Sequence, residues 1–107
     1  MTRQLFARVF VDPLAGHGWV LRGRSVQSCH LFAGPDDLDE LHRVAAAAGC
    51  KREWFQRSGG RGVPHYDLTA SRRSAAIKAG AEELPRREAV AFWREHYPRS
   101  KGSAPEP

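Results

Sequence analysis

Between Val26 and Ala48 the hydrophobic period changes from two to about 3.6 across the Gly34-Pro35 break, which narrows the possible folds sharply. Val26, Ser28, His30 and Phe32 share one face of a strand, and Gln27, Cys29, Leu31 and Ala33 share the other. Leu38, Leu41, Val44, Ala45 and Ala48 then recur at helical spacing. Pro35 is placed to open that helix, Asp36 and Asp37 suit the positive end of its dipole, and Gly49 suits the left-handed position that closes it. A strand that feeds directly into an amphipathic helix buries its face against that helix. The pattern is that of an α/β domain.

The rest of the chain extends the same alternation. Leu5 to Val11 is rich in β-branched and aromatic residues and reads as a first strand, ended by Asp12-Pro13 because proline has no amide hydrogen for a ladder. Leu14 to Arg24 holds three glycines, His17 and Trp19, and reads as a long excursion or a flexible hairpin arm. After a short, unassignable Arg52–Gln56 comes a mobile glycine loop, Ser58 to Gly62, and then a short strand from Val63 to Leu68. Thr69 or Ser71 caps a helix that runs to Ala79 and is closed by Gly80. Ala81 to Leu84 suits an edge strand, and Pro85 opens a last helix to about Tyr97. Ala89, Val90, Trp93 and Tyr97 form its inner stripe. The expectation is a small single α/β domain over residues 1–97, with a three- or four-stranded sheet and three helices, followed by a disordered tail over 98–107. No apolar run reaches the ~18–20 residues that cross a bilayer, and no signal-peptide pattern follows Met1, so a cytoplasmic location and no membrane partner are expected.

The formal net charge is +5, with 14 Arg to 3 Lys. Its distribution is uneven. Between Lys51 and Arg73 six basic residues stand against Glu53 and Asp67, a local excess that attracts anionic ligands, phosphates first. A solvated face without a partner is the plain alternative. Cys29 and Cys50 form no Cys-x-x-Cys pair, which argues against a zinc ribbon and for two free thiols.

Candidate chemistry gathers on a few side chains. His65-Tyr66-Asp67 stands between the glycine loop and a helix start, where functional groups tend to concentrate, although Asp67 could simply assist the cap. His30 lies mid-strand among apolar neighbours and must find a partner, as catalytic base or as a bonded core histidine. His42 borders the buried stripe of the first helix. Asp12 ends a strand, a usual place for a general base or metal ligand in α/β sheets, and equally a turn former. On the helix wheel Arg73 falls on the inner side, where a guanidinium beside a helix start holds anions. The catalytic candidates are therefore His30, His65 and Asp12, and the ligand-binding candidates Tyr66, Asp67, Arg73 and His42. Two histidines with two carboxylates also admit a divalent metal, provided His30 and His65 approach within about 8 Å. No Walker loop, dinucleotide fingerprint or His-Glu-x-x-His motif is present.

The order Val11-Asp12, Ser28-Cys29-His30-Leu31, Asp39-Glu40-Leu41-His42, Trp54-Phe55-Gln56, His65-Tyr66-Asp67-Leu68-Thr69 and Arg73 through Gly80-Ala81 resembles the domain of unknown function 4031, over residues 7 to 95. That family consists of small bacterial and phage proteins. The resemblance implies one compact domain and a bacterial or phage origin, and it brings no activity with it. The arm between Asp12 and Ser25 departs from the family pattern. Together these features point to a site for a phosphate-bearing ligand, a nucleotide or a nucleic-acid end, with phosphoester chemistry if the protein is an enzyme. The alternative is a non-catalytic adaptor for nucleic acid or protein, built on Lys51–Arg61 with Trp54 and Phe55 interleaved. In so small a protein those two aromatics are expected in the core.

Overall fold

The computed structural model describes residues 7–57 and 61–98. The start of the expected first strand at Leu5-Phe6, the centre of the glycine loop at 58–60 and the tail from 99 onward lie outside them. In chain order the elements are β1 (Val9–Val11), β2 (Ala15–Leu21), β3 (Arg24–Ala33), α1 (Leu38–Ala47), a 3-10 turn (Arg52–Trp54), β4 (His65–Leu68), α2 (Ala70–Lys78), β5 (Glu82–Glu83) and α3 (Arg86–His96). The fold is α/β with three α-helices and a mixed five-stranded sheet among the described residues.

The extra strand comes from the arm. Both β1 and β2 run antiparallel to β3, with Val11 opposite Leu31 and Ala15 opposite Ser28. The amide of Asp12 continues the first ladder to the His30 carbonyl at 3.3 Å before Pro13 interrupts it. The arm is therefore a hairpin, turned at Arg22 and Gly23, both with positive φ as its tight two-residue loop requires. Two further residues are inserted between Gly16 and Val20, so that His17, Gly18 and Trp19 face the single partner Val26.

β4 pairs antiparallel with the other edge of β3, and β5 adds parallel to β1. Side-chain alternation then separates two cores. Leu31, Cys29, Val9, Val11, Tyr66 and Leu68 pack with Leu41, Val44 and Ala76 of α1 and α2. Phe10 and Phe32 on the opposite face meet Ala89, Phe92 and Trp93 of α3. Helix α1 begins three residues later than its proline suggests, because Pro35-Asp36 forms a turn in which the Asp37 amide donates to the Gly34 carbonyl at 3.0 Å. Thr69 caps α2 as expected, its hydroxyl accepting from the Arg72 amide.

Trp54 departs from the core expectation. It is 38% exposed, whereas Phe55 packs against the α1 and α2 side. Both thiols are buried. Burial pushes Cys29 up to about 12 and raises Cys50 as well. At pH 8 the native protein should therefore resist a thiol reagent under conditions in which the urea-unfolded chain releases colour for both cysteines at once. Rapid labelling of the native state would contradict this packing.

Candidate metal centre

The register of β4 on β3 sets the site. His30 stands opposite Asp67, and Phe32 opposite His65, so His30, His65 and Asp67 emerge from one face of the sheet. Their rings and carboxylate come close: the two imidazole centroids are 5.3 Å apart, and Asp67 Oδ1 lies 3.6 Å from His65 Nε2 and 4.0 Å from His30 Nε2. One ligand atom from each of the three falls within 4.8 Å of the other two. Zinc–nitrogen bonds of about 2.0 Å at tetrahedral angles put ligand atoms about 3.3 Å apart, so modest side-chain rotations would close the set on an ion.

Each of the three is oriented from behind. Asp12, whose side chain is 2% exposed, accepts at 2.8 Å from His30 Nδ1 and at 2.6 Å from the His30 amide. His65 Nδ1 donates to the Val63 carbonyl at 2.8 Å. The Gln56 side-chain amide donates to Asp67 Oδ2 at 2.8 Å. A carbonyl and a carboxylate can only accept, so each imidazole carries a proton on Nδ1 and, in its neutral form, presents a lone pair at Nε2. The remaining Asp67 oxygen is an acceptor too. With both imidazoles neutral, three lone pairs converge, and outer partners of this kind are the usual supports of metal-ligating histidines. The hydrogen bond to Asp12 raises the pKa of His30 above its ordinary value, against the opposing effect of burial.

Asp12 reaches His30 because β1 ends one residue earlier, which puts Asp12 opposite His30 on the same face. Arg73 sits behind it. Its Nε donates to the Asp12 carbonyl at 2.9 Å and its guanidinium pairs with Glu83 at 3.2 Å, so it braces the aspartate from the inner side of α2. Tyr66 and His42 are not brought to the cluster. They occupy the opposite face, where the Tyr66 hydroxyl meets His42 Nδ1 at 2.8 Å against the core.

Three neighbours escaped the sequence reading. Gln56 bonds Asp67 through the bridge it forms with His65, and its place beside Trp54-Phe55 gave no sign of that pairing. His17, on the irregular part of β2, brings a third imidazole to 5.1 Å from His30. Trp93 of α3 stands edge-on to His30 at 5.8 Å, and these two with Phe32, Val63 and His65 line a hollow of about 160 Å³. A larger cleft of about 700 Å³ lies on the far side of Asp67, between the hairpin and the 3-10 turn.

Residues 9–96 match the model of a family described as Protein of unknown function (DUF4031). No curated protein and no solved structure matches the chain. No helix among the described residues is long and apolar enough to cross a membrane.

Proposed function

This chain belongs to the family of proteins of unknown function DUF4031, and we propose that it binds a divalent cation on His30, His65 and Asp67 for use on an anionic, phosphate-bearing substrate. The observation that carries the reading is the convergence of three lone pairs, each steered by a partner of its own. Two imidazoles and one carboxylate favour a borderline ion such as zinc, manganese or iron over magnesium or calcium. Three protein ligands leave positions open for water and substrate, as in catalytic sites. His30, His65 and Asp67 would hold the ion, which when bound would supply Lewis-acid polarisation of a phosphoryl oxygen and an acidified water, a chemistry that suits phosphoester hydrolysis. The exposed basic residues Lys51, Arg52 and Arg57 support an anionic substrate by long-range attraction.

Calorimetric titration of the metal-free protein with Mn²⁺ and Zn²⁺ tests the assignment. One site per chain is expected, with a rise in melting temperature equivalent to about 2.7 kcal/mol at a hundredfold excess over Kd. His65→Ala and Asp67→Asn should each weaken binding by about 100-fold or more, since even outer partners are worth 10–100-fold. A wild-type protein that gives neither heat nor stabilisation with either ion would end the proposal. The exposure of Trp54 favours the adaptor reading, and that residue lines the adjoining cleft.

A further inference from the structure

The cleft beyond Asp67 is walled by three large apolar side chains, Trp19, Leu21 and Trp54, that belong to neither core. Trp19 enters from the inserted residues of β2, and Leu21, 44% exposed, follows it on the same strand. Trp54 closes the opposite wall from the end of the 3-10 turn. A small soluble protein that exposes large apolar groups around a concavity and rims them with charge is presenting a binding surface. At about 700 Å³ the cleft lies within the range of small-ligand sites, roughly 300–1,000 Å³.

Its charges are arranged around the aromatic walls. The Arg72 guanidinium lies 5.0 Å from the Trp54 ring centre and Lys51 Nζ 5.9 Å, while Arg22 joins them from the hairpin turn. Glu53 and Asp67 are the acidic groups of the lining, and Asp67 is the carboxylate assigned to the metal. One lining residue thus belongs to both sites, and Gln56, which orients that carboxylate, lines the cleft too. A ligand in the cleft therefore touches a wall that includes Asp67 of the metal centre.

We propose that this cleft binds the nucleobase of the substrate, so that the substrate of the metal centre is a nucleotide unit, either free or at the end of a single strand. Indole and guanidinium planes stack on any base, and cations beside them follow its phosphate. The inference rests on the metal-centre reading for the chemistry and on the cleft alone for the base.

Isothermal titration calorimetry reports the binding without relying on the tryptophans that the variants remove. Adenosine 5′-monophosphate is compared with ribose 5-phosphate, and a four-residue oligodeoxythymidylate with an abasic tetramer of equal charge, each in Mn²⁺ and in EDTA. The base-bearing member of at least one pair is expected to bind ten times more tightly or better, and the tighter arm identifies the source as nucleotide or strand. Trp54→Ala and Trp19→Ala, both at the surface of the cleft, should erase that difference while leaving Mn²⁺ affinity unchanged. Equal binding of base-bearing and abasic probes in both arms, or a preference that survives both substitutions, overturns the proposal. A base preference that persists in EDTA, in a protein that takes up no Mn²⁺, upholds the base site and overturns the metal reading instead.

Discussion

Asp12→Ala is expected to destabilise the protein by about 3 kcal/mol in urea unfolding, one of the two largest single-residue losses foreseen here. The carboxylate is buried and accepts two hydrogen bonds, from the His30 amide and from His30 Nδ1. Alanine leaves both donors without that acceptor, and each buried unsatisfied donor costs about 1–3 kcal/mol. Asp12→Asn separates stability from chemistry. Its side-chain carbonyl still serves the His30 amide, so it should lose less stability. Its NH₂ group, however, faces Nδ1 and demands a lone pair there, which moves the imidazole proton to Nε2 and blocks the metal position. Mn²⁺ affinity should fall by about 10–100-fold. An asparagine variant that binds Mn²⁺ as tightly as wild type would refute the tautomer argument.

Tyr66→Ala should cost about 3–5 kcal/mol, the range for removing a large aromatic side chain from a core. Tyr66 is 1% exposed and is among the largest fully buried side chains of the described residues. It touches His42 and Phe55 edge-on or tilted at 5.9 and 5.6 Å. Tyr66→Phe keeps that packing and removes only the bond to His42 Nδ1, for an expected loss of about 1 kcal/mol. Neither substitution should change Mn²⁺ affinity in the folded protein, because Tyr66 lies on the far face of β4 from His65 and Asp67. A loss of metal binding in Tyr66→Phe would mean that the two faces are coupled, contrary to their separate packing.

Local periodicity carried much of this architecture. The change of period at Gly34 placed β3 before α1, the Thr69 cap and Gly80 bounded α2, and Pro85 opened α3. Strand alternation also put His65, a catalytic candidate, and Asp67, a ligand-binding one, on one face and the ligand-binding candidate Tyr66 on the other, a separation already present in the spacing. Which face of β4 meets which face of β3 was a different matter. Period two leaves the register between two strands free, and a slip of one residue would have set His30 against Tyr66 or Leu68 in place of Asp67. That choice is made by side chains far apart in the chain, through the packing of Phe32 toward α3 and of Leu31 toward α1 and α2. The pairing of β1 decided in the same way that Asp12 would stand behind His30, and the packing of Phe55 left Trp54 at the surface. Helix and strand periods are properties of neighbouring residues and can be read in order along the chain. The meeting of two histidines and two aspartates is a property of register, which exists only once distant strands have chosen partners by burying their faces together.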